Sequence, residues 1–557
     1  MRMRSLKLGL AVFLAQLMVL LAVVRGQDTA PPAAPADEPP PVPKGIEVLA
    51  RGPVHEAFAS PVGDPIPTKP VAKKPPKPLD EMPPAEKPEG NVVWISGYWA
   101  WDDERKDFLW VSGVWRTPPP SKQWIAGYWR EEGEQWQWVP GFWAKTTEEQ
   151  ETKEVSYLPQ PPAPPDVAPP GQPPAADTFY VPGTWAWNPQ RENYAWRAGY
   201  WARVQPGYVW VPDHFRWTPA GYIYIPGYWD LAVSRRGVLY APVVVDPAVV
   251  TAGFYYTPAY AVSDTVVVDA LFVRPAYAHY YFGDYYGPAY ATMGFESVVV
   301  YSGRRYDSIV VYETWAHRSQ PNWISLQINI FNGRSRGVLP VPPRTLVQQN
   351  TIIQRNVTNV TNVTNVTNVT NVTKTYNTTV LASTSKIVAA KGQKTVALDT
   401  ATRGQAKQQA AAVQQVAQQR TATEKPLPPG SPRQARVASL NVPKAQPVQS
   451  GFVAPKVSSQ AAVKAQAAKP PQPASTAHPA ASPAHPGTNP SQAGHPAGPA
   501  PNGSHPGAAP PRSNPAAQHV QPAQPQRGAP PRPAARPPTP PARRPPPKDN
   551  KDKKDHH

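Results

Sequence analysis

The sequence predicts a mainly β protein: duplicated antiparallel four-stranded meanders with glycine bulges, followed by a mixed β/α segment, between long disordered arms. Three observations predict it. Of the 55 aromatic residues, 51 lie between Asn91 and Thr345 of the 557-residue chain. Inside that window a W-x-x-G-x-W pattern recurs in two blocks of four. Of the 79 prolines, 18 fall in residues 27–90 and 33 in residues 421–557, where almost nothing else could build a core. Such arms cannot bury enough apolar surface to offset chain entropy.

Residues 1–26 read as an export signal. Arg2, Arg4 and Lys7 precede the apolar run Leu8–Val24, and Gly26 closes a small-residue cleavage region. After its removal no stretch is long enough to span a membrane. The expected location is the periplasm, cell envelope or exterior. Residues 27–90 read as a proline-rich disordered spacer, with Lys73-Lys74-Pro75-Pro76-Lys77-Pro78 favouring an extended conformation.

Block 1 (91–147) contains units starting at Trp94, Trp110, Trp124 and Trp138, spaced 16, 14 and 14 residues apart. A Pro- and Glu-rich linker (148–176) follows. Block 2 (177–230) repeats the spacing from Tyr180, displaced by 86 residues, with units at Trp196, Trp210 and Tyr224. This is an internal duplication. The Trp, Tyr, Val and Ile content of a unit favours strand. Its two anchor aromatics are five apart, which in a regular strand puts them on opposite faces. A bulge at Gly97, Gly113, Gly127, Gly141, Gly183, Gly199 and Gly227 restores both to one face, and glycine suits a positive φ there. Turns fall at Asp102–Lys106, Thr117–Lys122 and Glu131–Glu134.

Beyond the blocks, residues 231–345 are rich in Tyr and Val. Val238–Val245, Gly253–Val262 and Thr265–Val273 read as strands. Asp307 reads as the N-cap of a helix to about His317, and Trp323, Leu326 and Ile330 share the face of a second. In residues 346–380, Asn356–Thr373 is Asn-Val-Thr repeated six times. It reads as an extended or strand-like stalk able to pair between copies. Each triplet, with Asn377, is also a glycosylation sequon. Residues 381–420 include an Ala/Gln-rich helix candidate with a thin Val413/Val416 face. Residues 421–557 read as a disordered basic tail with 17 basic against 4 acidic residues. The formal charge of +18 therefore divides into +4 on the signal, +13 on the tail and about +1 on the rest.

The chain has no cysteine, which excludes disulfides, thiolate catalysis and thiolate metal sites. No metalloprotease, nucleophile-elbow, phosphate-loop or dinucleotide motif occurs. No catalytic residue, metal ligand or cofactor is assigned. The cluster Tyr277–Tyr290, with His279 and Asp284, reads as a Tyr-rich loop packed on the sheet, with a metal or small-ligand site, or an enzyme site extending to His317, as the alternative. Candidate stacking aromatics are Trp94, Trp99, Trp110, Trp115, Trp124, Trp129, Trp138, Trp143, Trp185, Trp196, Trp201 and Trp229. Exposed, such rings stack on sugars; buried, they are the core. The basic tail suits an anionic envelope polymer or glycan through charge. It lacks interleaved aromatics, so no specific nucleic-acid partner is expected.

The W-x-x-G-x-W units resemble the bacterial YXWGXW (WXXGXW) repeat family of exported or envelope-associated proteins. That resemblance covers 92–230 and carries no catalytic or binding residues over. Asp213 and Phe215 depart from the pattern. The overall layout is similar to large secreted proteins of planctomycete-type bacteria. The expectation is a non-catalytic envelope scaffold or interaction protein, with a carbohydrate-binding module using exposed Trp and Tyr as the alternative.

Overall fold

A computed structural model describes residues 41–145, 152–165, 171–360, 379–426, 428, 434–443 and 447. Residues 1–26, read as an export signal, lie outside these residues, as do most of the Asn-Val-Thr run and most of the basic tail. The fold is mainly β, made of small antiparallel sheets, with a mixed β/α segment after the repeats.

Each W-x-x-G-x-W unit forms two short strands separated by a two-residue gap that contains the glycine, or Asp213 in the unit from Trp210. Consecutive units then pair as one long hairpin. In hairpin I, Val93–Ile95 pairs with Val114–Arg116, and Tyr98–Asp102 pairs with Asp107–Val111. Hairpin II pairs Lys122–Ile125 with Phe142–Lys145 and Tyr128–Glu132 with Gln135–Val139. Hairpin III pairs Thr178–Val181 with Tyr200–Arg203 and Thr184–Asn188 with Asn193–Arg197. Hairpin IV pairs Tyr208–Val211 with Tyr228–Leu231 and His214–Thr218 with Gly221–Ile225. Among the described strands no ladder joins one hairpin to the next, so each block is two hairpins side by side.

This pairing matches every anchor aromatic with an anchor of the adjacent unit. Trp94 faces Trp115, Trp99 faces Trp110, and the same holds in the other three hairpins. All eight pairs are edge-on or tilted, with ring centroids 5.1 to 5.6 Å apart. Each such pair adds about 0.5–1.5 kcal/mol beyond its buried area.

The ladder does break at the glycines, but not as a one-residue bulge. Two residues go unpaired on both strands, as with Ser96-Gly97 opposite Ser112-Gly113. None of Gly97, Gly113, Gly127, Gly141, Gly183, Gly199 and Gly227 has a positive φ. Glycine is needed for space instead. A Cβ on Gly113 would lie 2.5 Å from the Trp94 ring and 2.6 Å from the Ile95 carbonyl. Trp138 crowds Gly127, Trp124 crowds Gly141, Trp196 crowds Gly183 and Trp210 crowds Gly227 in the same way. The first aromatic of one unit thus lies on the glycine of its partner. Gly113→Ala is expected to cost about 1–3 kcal/mol as an overpacked core change, read as a lowered urea midpoint at unchanged slope.

In hairpin I the break does not gather both anchors of a unit into one cluster. Trp99 and Trp110 join the main core with Phe58, Phe272 and Phe282. Trp94 and Trp115 pack with Val238, Tyr240, Ala406 and Ala410.

Three segments outside the blocks complete the fold. Residues 41–90, expected as a disordered spacer, are folded onto it: Ile46–Val48 pairs with Val243–Val245, and Val54, Ala57 and Phe58 are wholly buried. The helix Thr400–Thr423 packs on hairpins I and II through Ala406, Ala410, Val416 and Arg420. Beyond it Arg436–Asn441, expected within the disordered tail, pairs with Thr152–Leu158 and buries Leu440. The backbone of Leu346–Val360, where an extended stalk is expected to begin, is helical.

Within 231–345, Asp307 caps the helix Ser308–Ala316, accepting from the Ile309 and Val310 N–H groups at 3.0 Å. Trp323–Ser335 is the second helix, with Trp323 and Ile330 buried and Leu326 exposed. The expected strand Thr265–Val273 is instead a helix, Asp264–Asp269, followed by a strand, Leu271–Arg274.

Candidate functional site

The unpaired N–H groups at the breaks need acceptors, and three of the four hairpins receive a carboxylate. At hairpin I, Glu81 accepts from Gly97 N–H at 2.7 Å, Gly113 N–H at 2.9 Å and the Trp110 indole at 3.0 Å. At hairpin II, Glu56 accepts from the Trp138 indole at 2.8 Å and Gly141 N–H at 3.0 Å. Arg420 takes the carbonyls of Ala126 and Pro140 at the same break. At hairpin IV the carboxylate is Asp213, which stands where the other units have glycine and accepts from Gly227 N–H at 2.6 Å. The departure of that unit from the repeat pattern is thus functional within the fold: the side chain supplies what Glu81 and Glu56 supply from outside. Asp213 was the only one of these signals visible in the repeat itself. Glu56 and Glu81 lie in the proline-rich stretch and carry no pattern that marks them.

The candidate stacking aromatics divide by block. Trp94, Trp99, Trp110, Trp115, Trp124, Trp138 and Trp143 are buried, and Trp129 is half-buried against the core. Trp185, Trp196, Trp201 and Trp229 are half-exposed, and their neighbour Tyr200 is 50% exposed. Block 1 spends most of its rings on the core, whereas block 2 buries Phe215 and Tyr222 and leaves its tryptophans partly exposed.

A cleft of about 1300 Å³ opens between hairpins II, III and IV and the strand Thr152–Leu158. Trp187 and Tyr224 line it with Lys145, Lys153 and Arg197, against the single acid Glu154. Lys153 donates to the Lys145 carbonyl, which brings the two stems together. Lys122 lies beside them with its ammonium 4.5 Å from the Tyr228 ring centre. Burial, helped by repulsion from Lys145 and Lys153, pushes Lys122 down to about 8. Arg197 is paired with Asp213, so Lys145, Lys153 and Lys122 give the cleft its positive excess, between aromatic walls.

His279, Asp284 and His317 do not form a site together. His279 sits between the Tyr98 hydroxyl at 2.8 Å and the Tyr277 carbonyl at 2.6 Å. Asp284 accepts from Arg344 at 2.7 Å. His317 stacks on Trp323 and bonds the Glu313 carbonyl. They share no partner, and among the described residues no group of three or more His, Asp or Glu is arranged to hold a metal.

A family model described as the WXXGXW repeat, in two copies, matches residues 91–116, 124–144, 179–202 and 206–230. These segments are WXXGXW repeats. Each matched stretch coincides with one hairpin, so two WXXGXW units are the structural module. No curated protein and no solved structure matches the chain. Among the described residues no helix is long and apolar enough to cross a membrane.

Proposed function

We propose that this is a non-catalytic, exported cell-envelope scaffold or interaction protein whose WXXGXW domain and basic tail adhere to an anionic envelope polymer. The cleft carries this reading: Lys145, Lys153 and Arg197 converge there with Trp187 and Tyr224. Cations give attraction to a polyanion, and the rings give a surface on which sugar units stack. The +13 tail adds attraction of the same sign.

The test is binding of the full chain to immobilised polygalacturonate and to neutral dextran across a salt series. Polygalacturonate retention that falls steeply with salt is expected, and Lys145→Glu with Trp187→Ala should weaken it about tenfold or more. Deleting residues 448–557 should reduce the salt-sensitive part further. Equal retention on dextran, insensitive to salt, would instead favour the second reading, a carbohydrate-binding module. The half-exposed rings of block 2 are the observation behind that alternative.

A further inference from the structure

The duplication extends upstream of the repeat units. At the displacement of 86 residues, Pro75, Pro76, Pro78, Asp80, Pro83, Pro84 and Pro88 align without a gap on Pro161, Pro162, Pro164, Asp166, Pro169, Pro170 and Pro174. The structure agrees where both copies are described. The Trp99 indole donates to the Lys77 carbonyl at 2.9 Å, and its counterpart Trp185 donates to the Ala163 carbonyl at 3.3 Å. Residues 77 and 163 are again 86 apart. At this one described position residue 163 meets hairpin III as residue 77 meets hairpin I.

One aligned position changes the chemistry. The counterpart of Glu81 is Val167. The neighbouring Asp166 aligns with Asp80, which does not serve the break in hairpin I but pairs with Lys407. The counterparts of the three donors that hold Glu81 are the Gly183 N–H, the Gly199 N–H and the Trp196 indole. Among the described residues none of these has an acceptor. The Tyr180 hydroxyl stands beside Gly199 as a further donor. Gly97, Gly113 and Trp110 are buried, whereas Gly183, Gly199 and Trp196 are half-exposed. Hairpin III thus keeps, partly exposed and without a carboxylate among the described residues, the donor set that its sister hairpin closes.

We propose that the glycine break of hairpin III is a receptor for the carboxylate of a uronic-acid unit in a polymer. Glu81 shows the geometry such a site takes: one oxygen accepts from Gly97, the other from Gly113 and Trp110, as a planar two-oxygen anion allows. A hexuronate carries that group directly on a pyranose ring, and the rings of hairpin III flank the break. Arg197, in the first ladder pair beyond the break and paired with Asp213, also lines the basic cleft, so the break adjoins Lys145 and Lys153 across that pair. This inference rests on the anionic-polymer reading and names its anion.

The probes are a galacturonate tetramer, its methyl ester, a sulfated neutral oligosaccharide and the octapeptide of residues 77–84, titrated into the full chain at pH 7 with tryptophan fluorescence as the signal. The free acid is expected to bind at least tenfold tighter than ester or sulfate. Val167→Glu, which puts a glutamate at the position aligned with Glu81, is expected to weaken it about tenfold, and Gly199→Ala, at this partly exposed break, to do the same with the far-ultraviolet spectrum unchanged. Equal binding of the sulfated sugar would overturn the inference. So would unchanged uronate binding in Val167→Glu while Lys145→Glu weakens it, which leaves the cleft reading standing. Octapeptide binding that the uronate does not displace would assign the break to an acidic peptide and overturn the sugar assignment. Loss of all polyanion binding, insensitive to every variant, would remove both readings.

Discussion

Glu81→Ala is expected to destabilise the protein by about 3–5 kcal/mol, because it leaves three buried N–H donors without an acceptor at one point of the core. Glu81 is 4% exposed, and its segment is tied to hairpin I by this carboxylate, by the Trp99 and Trp115 indoles on the Lys77 and Glu86 carbonyls, and by the Lys73–Asp107 pair. Glu81→Gln keeps the shape but turns an amide N–H toward one of the glycine N–H groups, and should cost about 1–3 kcal/mol. The pair of variants also has a pH signature. Burial pushes the Glu81 carboxyl up from 4.5 to about 7, against the pull of the Gly113, Gly97 and Trp110 donors. The folded chain therefore holds a proton that the unfolded chain releases. This contribution to stability is full below about 4.5 and is lost as pH rises through about 7. Urea midpoints at pH 4 and pH 8 should converge between native protein and Glu81→Gln at the higher pH and separate at the lower. A constant gap would show that Glu81 does not titrate in that window.

The hairpins were legible in the sequence because their information is local. Anchor spacing, a glycine per unit and turn-forming residues such as Asp103-Glu104-Arg105-Lys106 all lie within one 16-residue stretch. The form of the break was not legible. An odd spacing is satisfied equally by a bulge on one strand and by two unpaired residues on both, and only the partner unit decides between them. Residues 41–90 read as disordered for a related reason. Glu56, Phe58 and Glu81 have no periodicity of their own and gain order only against repeat hairpins far along the chain. Val266-Val267-Val268 misled in the other direction. Its β-branched content favours strand, yet Val266 and Val267 are buried on a helical turn that starts after Ser263. Asp307 was read correctly because an N-cap is a contact between near neighbours.

The site shows the same division. That aromatics would be core or exposed was an open choice in the sequence, and the duplication answers it both ways. Block 1 is covered by the first proline segment and the helix Thr400–Thr423, so its rings are buried. In block 2 the position aligned with Glu81 is Val167, and Trp185, Trp196, Trp201 and Trp229 stay partly exposed. Covering segments, rather than the repeat units themselves, determine which copy's rings are buried and which stay partly exposed.

Asp230→Ala is expected to be about as damaging as Glu81→Ala, for an electrostatic reason. The residue after the second anchor is Arg116 in the second WXXGXW unit and Asp230 in the eighth. Arg116 meets both Asp230 oxygens at 2.5 and 2.7 Å, and Arg236 approaches the same carboxylate at 3.2 Å. The three side chains are 0%, 5% and 3% exposed. Divergence at one repeat position has thus placed opposite charges where the first and last hairpins meet. Removing the aspartate strands two buried guanidinium groups, at a cost of about 3–5 kcal/mol. Replacing all three by Met, Leu and Met abolishes the stranded charge, and for a bare ion cluster that change is near neutral. Here it should still cost about 2 kcal/mol or more, since each guanidinium also holds carbonyls: Arg116 those of Ala57 and Thr117, Arg236 those of Phe58 and Leu231. Those bonds fasten the first segment to both ends of the repeat array. A triple variant as stable as the native protein, by urea unfolding, would show that charge alone joins the hairpins and that the carbonyl contacts are incidental.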